Sequence, residues 1–401
     1  MRKTAILLMV LVLCRIGVGA ESLSPETLLP GHQATDAYAP VAAFGNGCYL
    51  VIWQAAQNEG ADIVGLRLDE NGRPLDAKPF LISDAKDCQE RPRVAFGGGH
   101  FLVVWQDLRN GKDYDVYAAR VTPEGKVLDP EGIAVSAEKH NQAKAAVCFD
   151  GKDFNLLWCD LRDGKTYQVW GTRVGTDGRV KGPAAVVLAS RYTTQAPGLG
   201  AIPSGGVIAA ANQRGAKLWA MRDGKRIAEP VDLACGGSAK GRFWWEPVFA
   251  SDGKKLLAVF DGYRQWSRGG SNWYADAVLL DPARAVAGGG KITEGINFTE
   301  GDRACMRNPA AAWDGEAYVV AWDIVVRDRN KYPYNAVFMR RLARDGKILG
   351  ERQTVAGERG SGTHHPASAS NGRGTTLIAY ERHPKTGDVP IKIAFRMLRA
   401  K

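Results

Sequence analysis

The chain has 401 residues, 45% of them hydrophobic and 24% charged, with a formal net charge of +10. That balance excludes a disordered chain and supplies enough apolar surface for a large core. The charge suits anionic glycans, anionic envelopes or nucleic acid, but no Lys/Arg cluster stands out, so it is read first as a solubility feature.

At the N-terminus, Arg2 and Lys3 precede a short apolar run, Thr4–Leu13, and the small residues Val18-Gly19-Ala20. This is the pattern of a signal peptide cleaved after Ala20, which predicts a secreted (extracellular or periplasmic) protein starting at Glu21. Losing Arg2, Lys3 and Arg15 lowers the formal charge to +7. The apolar run is too short to span a membrane. The alternatives are an uncleaved or cytosolic N-terminus, or a lipoprotein using Cys14, where Leu11-Val12-Leu13 puts a bulky Leu where such a site wants a small residue.

From about residue 40 the chain repeats. Arg93–Phe96, His100–Gln106, Asp115–Val121 and Ile133–Val135 are short runs rich in Val and aromatic residues, separated by Gly- and Asp-containing turns. Such runs read as strands, and no later stretch holds a helical period. Trp53, Trp105 and Trp158 recur at spacings of 52 and 53, and Arg67, Arg120 and Arg173 recur at 53. The first turn recurs as Asn46-Gly47, Asp150-Gly151, Gly205-Gly206, Asp252-Gly253, Asp314-Gly315 and Asn371-Gly372. Seven four-stranded units of about 50 residues predict an all-β, seven-bladed β-propeller of antiparallel blades.

The blades are placed at about 40–91, 92–143, 144–193, 194–241, 242–306, 307–364 and 365–401, in one domain over 21–401. The last unit lacks a fourth strand, and residues 22–29 belong to no unit. The N-terminal strand is therefore expected to complete blade seven and remove a sheet edge. Blade four is short. Blade five carries an expected loop insertion, Asp261–Tyr274, and blade six a smaller one, Asp323–Tyr334.

The mature chain keeps six cysteines: Cys48, Cys88, Cys148, Cys159, Cys235 and Cys305. Disulfides and buried thiols both remain open. Cys148 and Cys159 share a hairpin, but its turn sets Cys148 opposite about Asn155, out of register for a bond. Asn297-Phe298-Thr299 forms a glycosylation sequon.

The run FLVVWQDLRNG…DVYAARVTPEGKVLDPEGIAVS resembles the repeats of secreted bacterial β-propeller proteins, whose consensus is close to LVVWxDxR…DIYGxRVxxDGxxLDPxGIxIS. The match is close in blades one to three, moderate in six and seven and poor in four and five. It implies a propeller fold and an extracellular setting, and it implies no activity. The Asp-box repeat of sialidase-type propellers is absent.

One propeller face collects the loops after each second strand and the blade junctions. Asp107-Leu108-Arg109 and Asp160-Leu161-Arg162 recur there, with Asp261, Asp323 and Glu381 placed in the same set. Recurrence marks these as architectural, with Asp accepting turn N–H groups and pairing with Arg; the alternative is a ring of charges around the central pocket. Blade five concentrates aromatic residues: Phe243, Trp244 and Trp245, then Tyr263, Trp266, Trp273 and Tyr274. With Arg264 and Arg268, the residues Trp244, Trp245, Tyr263, Trp266 and Trp273 form a candidate glycan-binding surface, since exposed rings stack on sugar faces; packing against blade four is the competing reading. Glu90 and Glu246 stand at blade entrances and are the candidate catalytic acids, because glycoside cleavage needs two carboxylates about one bond. His140, His364, His365 and His383 lie near the same face, without the spacing of a metal motif.

The leading expectation is a monomeric, non-catalytic binding module for glycans or cell-surface material, without cofactor or metal. A glycan-active hydrolase or lyase using acids around the central opening is the first alternative. A protein-interaction scaffold is the second, and no specific nucleic-acid partner is expected.

Overall fold

The computed structural model describes residues 21–400 except 34, 58–59, 190–195, 204, 213–215, 234–242, 266–270, 300–305, 327–333, 359–361 and 386–388. For residues 57, 243–245, 262–265 and 271–274 it describes the backbone alone. It is a seven-bladed β-propeller, as the repeats predict. Blade two shows the regular pattern: Gln89–Gly97, His100–Asp107, Asp115–Val121 and Ile133–Ser136 pair in sequence order, all antiparallel. Blade one (Asp36–Gly45 to Phe80–Ser83), blade three (Gln142–Phe149 to Ala185–Leu188) and blade six (Met306–Trp313 to Ile348–Ala356) repeat it.

The second strands bury both faces because each blade is packed between two others. Phe101 through Trp105 are each 0% exposed. One core cluster joins Leu50 and Ile52 of blade one to Phe101, Val103 and Trp105 of blade two; the next joins Leu102 and Val104 to Leu156 and Trp158 of blade three. Gly97 ends blade two's inner strand where a Cβ would sit 2.0 Å from the Phe149 ring of blade three, so the close approach admits only glycine.

The N-terminus closes the ring in two short pieces. Ser22–Leu23 pairs antiparallel with Arg399 and Leu398, and Thr27–Leu28 pairs with Phe395 and Ala394. The Arg341 guanidinium also donates to Glu21 at 2.6 Å.

Blades four and five depart from the pattern. Blade five has three paired strands, Phe243–Ser251, Leu256–Gln265 and Ser271–Leu280. Its outer position is reduced to a bridge between Ala277 and Ile296. The chain instead forms a short helix, Pro282–Ala287, capped by the Asp281 carboxylate, which the sequence periodicity does not show. It then adds Lys291–Ile292 in parallel to blade four's Val231–Leu233. The expected insertion of blade five is largely strand: Gly262 through Gln265 continue the ladder against Tyr274 through Ser271. Cys148 stands opposite Asn155, as the turn predicts. Cys48, Cys88 and Cys148 are free thiols, and Cys235 and Cys305 lie outside the described residues.

Candidate active site in the central channel

Six inner strands carry the same irregularity. The register slips between Tyr38 and Val41, Glu90 and Arg93, Ala143 and Ala146, Trp245 and Val248, Arg307 and Ala310, and His364 and Ala367. Inside each slip one non-glycine residue has positive φ: Ala39 (49°), Arg91 (51°), Lys144 (55°), Glu246 (26°), Asn308 (50°) and His365 (48°). Proline follows five of the six, and its missing N–H cannot serve a ladder, so the bulge forms there. Backbone in this region is costly for residues other than Gly and Asn, and such strain gathers at functional sites.

Five of the six bulges are latched by the blade before them. The residue after the second strand's final aromatic accepts the bulge N–H of the next blade: Gln54 from Arg91 (3.2 Å), Gln106 from Lys144 (3.2 Å), Asp261 from Asn308 (3.4 Å) and Asp323 from His365 (3.0 Å). Glu381 of blade seven accepts from Ala39 of blade one at 2.8 Å, which carries the latch across the seam of the ring. In blades one and two the latch is a neutral amide; in blades five, six and seven it is a carboxylic acid.

Two of the bulge residues, Glu246 and Arg91, meet across the channel. Glu246 of blade five accepts from Arg91 Nη1 at 2.8 Å and from Arg93 Nη2 at 2.5 Å. Blades two and five are not neighbours in the ring, so this ion pair spans the central channel. Solvent reaches 31% of the Glu246 side chain. Burial between the blades pushes its carboxyl up, but Arg93, Arg91, Lys144 and His365 together outweigh burial and hold it below the usual carboxylate range. The buried Asp261 behaves oppositely. Desolvation, reinforced by the charge of Glu246, raises it to about 7, and its Oδ1 has no hydrogen-bond partner among the described residues. Asp323 is also raised by burial, to about 6, despite accepting from Asn308 Nδ2 at 2.8 Å.

Glu381 is nearly sealed from solvent and accepts from His365 Nδ1 and His383 Nε2, each at 2.9 Å. Burial alone would raise it; its bonds to the two imidazoles, the His365 charge and the Ala39 N–H reverse this and bring it to about 2. The same contact keeps His365 above its ordinary value against its own burial. His364, packed on the His383 ring with centroids 4.8 Å apart, is lowered to about 4, chiefly by burial. Among the described residues no group of three or more His, Cys, Asp or Glu side chains is arranged to hold a metal ion.

The two candidate acids part company. Glu246 faces the channel, whereas Glu90 accepts from Gln106 Nε2 (3.1 Å) and the Tyr114 hydroxyl (3.0 Å) inside blade two. It is Arg91 and Arg93, not Glu90, that meet Glu246. The Asp-x-Arg pairs are architectural: Asp107 is fully buried, accepts from Trp105 Nε1 at 2.8 Å, and is forked by Arg109. Asp261, Asp323 and Glu381 do not belong to that set. They align with Gln106, one residue earlier, and a one-residue offset in a strand turns a side chain to the opposite face. Of the aromatic surface, Trp266 and Arg268 lie outside the described residues, and Trp244, Trp245, Tyr263, Arg264 and Trp273 are described by backbone alone.

No protein-family model matches the chain, and no curated protein matches it. Several solved structures share its fold. An α-L-arabinofuranosidase of Fusarium graminearum aligns at 11% identity over 92% of this chain and 96% of its own, with a TM-score of 0.52. A Penicillium chrysogenum α-L-arabinanase aligns at 10% identity over 93% and 98%, with a TM-score of 0.50. A Dyadobacter fermentans protein of unknown function aligns at 10% identity over 96% and 100%, with a TM-score of 0.50. The expectation of a non-catalytic binding module on blade five's aromatic face is corrected at this point. Two of these three propellers are glycan-cleaving enzymes, and the charged groups this chain gathers lie in its channel.

Proposed function

We propose that the chain is a glycan-active hydrolase that acts in its central channel through Glu246. The observation that carries this reading is the placement of an ionised, solvent-reached carboxylate across the channel on two arginines. Glycoside cleavage needs one carboxylate held as the anion, with a second group to give the leaving oxygen a proton. Arg91 and Arg93 keep Glu246 charged and fix its position, while Arg91 stays exposed enough to bond sugar hydroxyls or an anionic group. The arabinose-cleaving neighbours make arabinan the first substrate to try, with anionic polysaccharides beside it on account of the basic charge. The signal-like N-terminus supports a setting outside the cytoplasm, where such polymers occur.

The experiment is a panel of neutral and anionic polysaccharides incubated with residues 21–401, with released sugars as the readout. Wild type is expected to release product, and Glu246→Gln, which keeps the shape and removes the charge, is expected to lose at least about a hundredfold. Unchanged release by that variant would place the chemistry elsewhere.

A further inference from the structure

The proton donor is not one of the buried carboxyls. Asp261 and Asp323 are 5% and 4% exposed, and the Oδ1 of Asp261 is closed to solvent. His365 differs: 49% of its side chain is exposed, it sits on the same ring of bulges as Glu246, and each of the two charges shifts the other. Its Nδ1 is held at 2.9 Å by Glu381, which is itself fixed by His383 and the Ala39 N–H. A ring nitrogen fixed by a buried carboxylate leaves Nε2 as the working atom and stabilises the protonated imidazole.

We propose that His365, oriented by Glu381, protonates the leaving oxygen in the reaction at Glu246; this rests on the hydrolase reading. In the first step the glycosidic C–O bond breaks, its electron pair stays on the oxygen, and that oxygen takes the Nε2 proton and leaves as an alcohol. The anomeric carbon bonds to a Glu246 carboxylate oxygen. In the second step a water oxygen bonds to that carbon, its proton returns to Nε2, and Glu246 leaves as the free carboxylate. One water is consumed and one glycosidic bond is cleaved.

The groups facing His365 are Glu381 and His383 of blade seven, Asp323 of blade six, Glu246 of blade five and the adjacent His364. Because Glu381 favours the charged imidazole, the rate should fall as pH rises through the raised His365 value. Glu381→Gln should move that alkaline limb to lower pH.

His365→Asn is the decisive variant, since Asn308 already occupies the equivalent bulge at φ 50°, against 48° for His365, and asparagine tolerates this conformation. The substrates are the polysaccharide that wild type hydrolyses and the 2,4-dinitrophenyl glycoside of the sugar it releases, whose leaving group needs no proton. His365→Asn should lose about 10²–10⁴-fold on the polysaccharide, keep the dinitrophenolate burst, and regain turnover with azide. Glu246→Gln should lose both substrates. Equal loss on the two substrates, or full activity in His365→Asn beside an inactive Glu246→Gln, overturns the role of His365 alone. A wild type inactive on every polysaccharide overturns the hydrolase reading and this one with it.

Discussion

Glu246, Arg91 and His365 hold backbone conformations that few residues accept, with φ of 26°, 51° and 48°. Each such residue costs of the order of 1–3 kcal/mol and persists because the surrounding blades impose it. The proline that follows each of them, and for Arg91 and His365 the latch from the preceding blade, supply that constraint. Asp107 illustrates the opposite kind of polar residue, one that stabilises without reaching a ligand. Asp107→Ala strands the Trp105 N–H and the Arg109 guanidinium, and should cost about 3 kcal/mol in denaturant unfolding, with glycan cleavage unchanged at temperatures where the variant is folded. Its role was legible in the sequence because the motif returns in blade three with the same spacing. The partners of Glu246 were not legible: Arg91 and Arg93 lie 155 and 153 residues away, and no local pattern reports a contact made across a channel. The register of Asp261, Asp323 and Glu381 was available. Aligning each on its preceding aromatic, Phe260, Trp322 or Tyr380, places it with Gln106 rather than Asp107.

Among the elements, the inner strand does the most to define the site, and its sequence signature is a proline just after the bulge. Pro40, Pro92, Pro247, Pro309 and Pro366 mark it in five blades. The far end of the same strand sets the spacing between blades. Gly97→Ala forces a methyl group into the Phe149 ring and should destabilise the protein by about 1–3 kcal/mol, read as a lowered melting temperature. Gly99→Ala makes a control for the added methyl group, since a Cβ there meets nothing within 4 Å, although its φ of 83° adds backbone strain of its own. The mixed apolar and polar residues of Asp261–Tyr274 resemble a loop in the sequence, whereas four of the ten register pairs between Leu256–Gln265 and Ser271–Leu280 lie inside that stretch and extend both strands through it. The outer strand of blade five was likewise missed as a feature: Lys291–Ile292 serves blade four instead, a pairing between segments that no repeat predicts.

At the scale of the whole molecule, the ring has one seam, and the N-terminus closes it. Leu29 is 2% exposed and its N–H bonds the Ile393 carbonyl at 2.8 Å, while Ser24 N–H bonds Met397 at 2.9 Å. Deleting residues 21–31 removes these bonds and opens a sheet edge, so it should lower the melting temperature or cause aggregation; an unchanged melting curve would mean the seam holds without this segment. Closure also fixes the channel, since Glu381 of blade seven binds both His365 and the Ala39 N–H of blade one. The ring count and its closure followed from the repeat period and the incomplete last unit. The chemistry did not, because it depends on which residue each blade places at one shared position. The most direct measurement compares sugar release from arabinan and anionic polysaccharides by wild type and by Glu246→Gln, at matched folding. Product from wild type and a loss of at least about a hundredfold in the variant is the predicted result. Equal release by both proteins, or none from wild type on any polysaccharide, would contradict a hydrolase centred on Glu246.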